Sequence, residues 1–299
     1  MSRLSLAALH DRMVERDWQV VADIAKYRLL TSRQIQRLHF DAAHSSPLAA
    51  ARACSRALSR LREAGVLRAL DRRIGGVRAG SASYIWFLGP AGERLLHHMA
   101  SAADATTGVA GLGQTAARRS NYREPSRHFV DHTLAISELA VQITAAARTG
   151  PFEVLRLETE PSNWQTMLGP HGVASFLKPD LLLVTATHTA AGEYEDHYFI
   201  ELDLATESAS VVMRQCAAYQ AFRATGRYQS RHGLFPTVWW LTPTQARANT
   251  LRGAVARTNG LTSHVGTSNG IADSTGGTGG ALFRFCIAEE FPRILETSD

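Results

Sequence analysis

Apolar positions recur at near-helical spacing from Glu15 to Leu30, through Val20, Val21, Ile24, Tyr27 and Leu30, which predicts a first amphipathic helix. Thr31-Ser-Arg-Gln34 has the form of a capping box and predicts a second helix with Ile35 and Leu38 turned inward. A third is expected from Pro47 to Glu63, with proline in its first turn and Gly65 as its stop. Val66 to Arg73, a turn around Gly75 to Gly80, and the β-rich Tyr84 to Leu88 then read as a hairpin. Gly89-Pro-Ala-Gly92 starts another short helix that ends near Met99. Three short helices and a hairpin in this order predict a winged helix-turn-helix over residues 1–99.

The third helix divides cleanly on a wheel of 100° per residue. With Arg52 at zero, Arg56 falls at ~40° and Arg60 at ~80°, whereas Cys54, Ala57, Leu58 and Leu61 lie between ~140° and ~240°. A recognition helix needs that division, because one face must pack while the other meets phosphates and base edges. Arg72, Arg73 and Arg78 are placed where the tip of a wing meets the flanking backbone. The same basic pattern also fits a protein-docking winged helix or a plain solvated surface.

Residues 100–126 have few large apolar side chains and read as a flexible linker, ending in the basic Arg118, Arg119 and Arg123. Beyond it, Arg127 to Arg148 is a long amphipathic pattern. Strand patterns follow at Phe152–Glu158, Leu177–Thr185 and His197–Leu204, then a helix over Thr206–Ala224 and a strand over Pro236–Leu241. Helix, three strands, helix and strand in that order predict an α/β fold, as in restriction-endonuclease-like nucleases, over residues 127–299. Gln245–Ala256 reads as a helix and Ala281–Ala288 as a closing strand, separated by a Gly/Ser/Thr-rich loop at 258–280.

Charge sharpens the two-part division. Up to His128 there are 20 Lys/Arg against 10 Asp/Glu; from Phe129 onward there are 12 against 17. A basic module beside an acidic one suits polyanion binding joined to a second activity, with an ordinary basic surface as the alternative. The three cysteines are widely spaced and form no CxxC, so neither a disulfide frame nor a zinc knuckle is expected. No run of eighteen apolar residues and no leader pattern is visible, and the expected location is cytoplasmic, away from membranes. No GxxxxGK[ST] is present, so no nucleotide cofactor is expected, and His128-Phe-Val-Asp-His132 lacks the glutamate of HExxH.

The chemistry concentrates in Lys178-Pro-Asp180-Leu-Leu-Leu-Val and in Tyr198-Phe-Ile-Glu201-Leu-Asp203, two apolar strands whose ends carry acids. Buried carboxylates must be paired, protonated or bound to a cation. Residues i and i+2 of a strand share a face, so Glu201 and Asp203 are expected to turn together toward Asp180. Such hard oxygen donors suit Mg²⁺ or Mn²⁺, which makes Asp180, Glu201 and Asp203 candidate metal ligands and catalytic residues for phosphodiester cleavage. Where this type of nuclease site places lysine, the chain has Asp203; Arg214 or Gln215 in the following helix are candidates to replace it, and Gln215 joins the catalytic set. Glu207, Glu158, Glu160 and Glu138 are further candidate ligands. The alternative is that these acids cap the helix at Thr206 or pair with arginines.

Several segments together resemble the replication-relaxation family of plasmid and mobile-element proteins. They are Arg33-Gln-Ile-Gln-Arg-Leu-His-Phe40, Ser59-Arg-Leu-Arg-Glu-Ala-Gly-Val-Leu67, Tyr84-Ile-Trp-Phe-Leu-Gly-Pro-Ala-Gly92, His132-Thr-Leu-Ala-Ile, Pro179-Asp180 and Glu201-Leu-Asp-Leu-Ala-Thr-Glu207. The resemblance runs from about Asp17 to Thr242. It implies a winged helix joined to a PD-(D/E)xK nuclease-like αβββαβ domain, in a DNA-binding protein of plasmid replication or DNA relaxation. The implied partners are double-stranded plasmid or integrated-element DNA and replication or transfer proteins. The resemblance is also to mobilisation relaxases that require no tyrosine, and many family members carry the Glu-x-Asp form. Two functions therefore stand as expectations: a metal-dependent, DNA-nicking relaxation protein, and a sequence-specific DNA-binding regulator whose nuclease-like domain is inactive.

Overall fold

Helices begin where the sequence supplies caps. The structure, a computed structural model, describes residues 5–70, 83–107, 125–168, 174–189, 192–258 and 281–297. After a short α1 (Leu6–His10), α2 (Glu15–Tyr27) buries the stripe Val20, Val21, Ile24 and Tyr27. It ends before the apolar periodicity does, because Arg28 adopts φ 67° and Leu30–Thr31 turns into β1. The capping box forms as the sequence predicts: the Gln34 amide donates to the Thr31 hydroxyl (3.2 Å) and the Thr31 amide to Gln34 Oε1 (2.8 Å), opening α3 (Ser32–His39).

Helix α4 spans Pro47–Glu63, with the Ser46 side chain as its N-cap and Ala50, Cys54, Leu58 and Leu61 on its buried face. Gly65, at φ +71°, turns the chain into β2 (Leu67–Ala69). With β3 (Ile85–Leu88) these strands form an antiparallel sheet in the order β1-β3-β2. Helix α5 (Pro90–Thr107) follows, close against that turn: a Cβ at Gly89 would stand 2.4 Å from the Gly65 carbonyl oxygen, and one at Gly92 2.4 Å from that of Val66. Arg72, Arg73, Arg78, Arg118, Arg119 and Arg123 lie outside the described residues, as do most of the linker and residues 259–280 of the predicted loop.

The chain divides into two compact units, residues 1–141 and 142–299. Helix α6 (Arg127–Ala147) therefore belongs largely to the first. Its Val130 and Leu134 cluster with Leu29 and Ile85, and the Ser137 hydroxyl donates to the Leu29 carbonyl at 2.9 Å.

The second unit is built on β4 (Phe152–Thr159), β7 (Leu181–Thr189), β8 (Gly192–Leu202), β9 (Thr237–Thr242) and β10 (Phe283–Ile287), ordered β10-β9-β8-β7-β4. The β4, β7 and β8 pairs are antiparallel, and β8-β9 and β9-β10 are parallel. A separate hairpin, β5 (Gln165–Leu168) with β6 (Ala174–Leu177), sits between β4 and β7 in the chain. One sheet face carries Leu182, Phe199, Val238, Trp240, Phe283 and Phe285 against α7 (Ala209–Ala224) and α9 (Gln245–Ala256). On the other face, Tyr198 and Trp239 stack edge-on against Phe291 of α10 (Phe291–Glu296). Between α7 and β9 a short α8 (Arg227–His232) closes the aromatic cluster through Tyr228. The architecture is mixed α/β, as the sequence predicts.

Candidate functional site

Helix α4 presents the division that the wheel predicts. Arg52 and Arg56 are exposed and make no ion pair or hydrogen bond among the described residues. Arg60 differs: its guanidinium donates to Asp17 Oδ1 at 2.7 Å, and Asp17 is buried and also accepts from the Val14 amide. That arginine fastens α4 to α2, so the unengaged pair on this face is Arg52 and Arg56.

In the second unit the register brings acids together at one edge of the sheet. Leu181 pairs with Ile200, so Asp180 falls opposite Glu201 at the end of the β7–β8 ladder. The Leu202 amide donates to Asp180 Oδ2 at 2.8 Å, and Asn163, fully buried, donates to the Pro179 carbonyl at 2.5 Å. The Pro-Asp turn is thus held from both sides. Glu201 lies on the face covered by α7, where the Tyr219 hydroxyl donates to its Oε1 at 2.5 Å.

Burial pushes the Glu201 carboxyl well above the usual carboxylate range, and the neighbouring negative charges of Asp180, Glu207 and Glu160 push it the same way against the Tyr219 hydrogen bond. Burial and the Glu201 charge also raise the Tyr219 phenol, and they push the Cys216 thiol up to about 12. Cys54, Cys216 and Cys286 are all buried, free thiols.

Asp203 shares this sheet face but finds a different partner. It stands one residue past β8, its amide donating to the Leu241 carbonyl, and its carboxylate receives Arg247 of α9 through Nε at 2.6 Å and the terminal nitrogen at 3.3 Å. Its Oδ1 also accepts from the amide of Ala205, which is turned to φ 59°. The arginine-pairing alternative holds for this residue, and the ion pair occupies both oxygens that metal ligation needs. Arg247 itself carries no motif signal; only its place in the first turn of α9 brings it to a residue 44 positions earlier.

The remaining candidates separate. Gln215 lies one helical turn before Tyr219 on α7, and its Oε1 is buried with no hydrogen-bond partner among the described residues. Arg214, next to it, is exposed. Glu158 pairs with Arg156 at 2.9 Å, the Glu207 carbonyl accepts from Arg247, and Glu138 is held by Arg37 and by Gln34 at 3.1 Å. Among the described residues, no group of three or more His, Cys, Asp or Glu side chains is gathered closely enough to hold a metal ion. Of the candidate donors, the carboxylates of Asp180 and Glu201 and the amide oxygen of Gln215, buried without a partner among the described residues, are oxygens of the hard kind that suits Mg²⁺ or Mn²⁺. Asp203 does not fit while Arg247 holds it.

A family model described as replication-relaxation matches residues 21–238, well over half of the chain. No curated protein and no solved structure matches. Among the described residues, no helix is long and apolar enough to cross a membrane.

Proposed function

From the premise that the chain belongs to the replication-relaxation family, we propose that it binds duplex DNA of a plasmid or integrated element through a winged helix in its first unit, serving replication or relaxation of that DNA. The observation that carries this reading is the two-sided α4: Ala50, Cys54, Leu58 and Leu61 face the core, while Arg52 and Arg56 stand exposed and unengaged. Such a helix meets backbone phosphates and base edges without giving up its packing. The antiparallel β1-β3-β2 sheet behind it supports the assignment of β2 and β3 as the wing.

The second unit is proposed to be a nuclease-like domain of the PD-(D/E)xK type. Its support is the run of β4, β7 and β8 before α7 and β9, with Asp180 and Glu201 side by side at one sheet edge. Asp180, Glu201 and Gln215 Oε1 would hold one Mg²⁺ or Mn²⁺ ion, which when bound supplies charge to polarise a phosphodiester and to acidify a water. The chain's own contribution is positional: Leu202 and Asn163 fix Asp180 and its turn, and Tyr219 orients Glu201 and satisfies one of its oxygens.

A second reading, a DNA-binding regulator with an inactive nuclease-like domain, is favoured by one observation, the capture of Asp203 by Arg247. Supercoiled plasmid incubated with the protein and Mn²⁺ separates the two. Conversion to open circles by wild type but not by Asp180→Ala supports nicking. No opened circles at any protein concentration, with duplex binding intact, supports the regulator.

A further inference from the structure

Leu48 is 61% exposed, the most exposed large apolar side chain among the described residues. It stands in the first turn of α4, one turn before Arg52 and two before Arg56. On the wheel that sets Arg52 at zero, Leu48 falls at about −40° and Arg56 at about 40°, so the two flank Arg52 on the outward face. Ser55 and Ser59, also exposed, complete that face, and the single acid of α4 is its last residue, Glu63. A lone exposed leucine means nothing on an ordinary surface. At the start of a helix that reads DNA it has a definite consequence, because the N-terminal residues of such a helix are those that reach base edges.

The first turn offers little else to a base. The Ser46 hydroxyl accepts from the Ala49 amide at 3.3 Å as the N-cap, and Pro47 has no amide proton to donate. Gln36 of α3 donates to the Pro47 carbonyl at 3.4 Å and to Asp41 Oδ1 at 2.9 Å, which ties the start of α4 to the preceding helix and so fixes where Leu48 stands. Base edges in the major groove carry one methyl group, that of thymine; the edge of a G·C pair presents donors and acceptors that a leucine would cover without satisfying. One turn on, the Arg52 guanidinium has the fork that matches guanine O6 and N7. Four residues of helix advance about 6 Å and base pairs are stacked about 3.4 Å apart, so the two side chains meet bases no more than about two steps apart.

We propose that Leu48 is a specificity-determining residue, seated on the methyl group of a thymine within about two base pairs of a guanine held by Arg52. The proposal rests on the reading of α4 as the DNA-reading helix, and it adds the chemistry of the site that the helix selects. The test selects ligands for the full chain from a library of random-sequence duplexes and then replaces thymine by uracil, which lacks only the methyl, in the enriched duplex. Wild type is expected to enrich a thymine near a guanine and to lose about fourfold in affinity on the uracil duplex. Leu48→Ala should bind the thymine and uracil duplexes alike, keep the guanine preference in its own selection, and melt with wild type. Arg52→Ala should lose the guanine and keep the thymine. Equal affinity of wild type for both duplexes overturns the proposal alone, as does a thymine preference that survives in Leu48→Ala or a selection that enriches no thymine. Self-association of the free protein that Leu48→Ala abolishes would assign the leucine to a second copy of the chain and overturn it too. Duplex affinity that is absent, or unchanged in Arg52→Ala with Arg56→Ala, overturns the α4 reading and this proposal with it.

Discussion

The arginines of α4 and the acids at the end of β8 are both charged groups next to a core, yet their surroundings are opposite. Arg52 and Arg56 are exposed and have no ion-pair or hydrogen-bond partner among the described residues, so water screens them and their charge is available to a ligand. Glu201 and Asp203 are buried, and each has been given a partner, a phenol in one case and a guanidinium in the other. Removing an exposed arginine should change binding and little else. Removing a partner from a buried acid should change the fold before it changes any chemistry.

The largest effect is expected at Arg247. Its replacement by alanine leaves the Asp203 carboxylate, 1% exposed, without its counter-charge, at a cost of about 3–5 kcal/mol in urea unfolding. Combining it with Asp203→Asn should recover much of that loss. Additive losses would show that the pair is not a unit. Next comes Gly89→Ala, whose Cβ would stand 2.4 Å from a carbonyl oxygen in the first unit, with an expected loss of about 1–3 kcal/mol. A variant as stable as wild type would mean that α5 does not pack against the Gly65 turn as described.

Glu201 gives a pH signature. Its folded-state carboxyl titrates well above the unfolded value of about 4.3, so the native state binds the proton more tightly. Its contribution to stability is fully present below the unfolded value and is lost as pH rises through the folded one. Glu201→Gln should therefore match wild type near pH 4 and become progressively more stable than it toward neutral pH, as followed by denaturant titration. A cation competing for that proton should stabilise wild type more at high pH than at low, and Gln should abolish this gain. A pH-independent difference between the two proteins would contradict the account of Glu201.

How much of this was legible in the sequence depends on how local the cause is. Helices α4 and α9 fall at Pro47–Glu63 and Gln245–Ala256, as the sequence predicts, because Ser46, Pro47, Gly65 and Thr244 act within a turn of the ends they set. The i, i+2 rule puts Glu201 and Asp203 on one sheet face, but which partner each meets depends on α7 and α9, 18 and 44 residues away. The β5–β6 hairpin and α8 go unpredicted because strands of four residues and a six-residue helix are too short to set up a period. The helix assigned by sequence to the 127–299 domain packs Val130 and Leu134 of its first turns on Leu29 and Ile85, a preference carried by side chains far earlier in the chain.

The most direct test of the central claim is duplex binding of the full chain, followed against salt concentration, for wild type, Arg52→Ala with Arg56→Ala, and Asp180→Ala. The account predicts that the arginine variant binds more weakly, with a salt slope smaller by about 2, and keeps its stability within about 0.5 kcal/mol of wild type. Asp180→Ala should retain both affinity and slope. An arginine variant with wild-type affinity and slope would contradict the assignment of α4 as the DNA-reading helix.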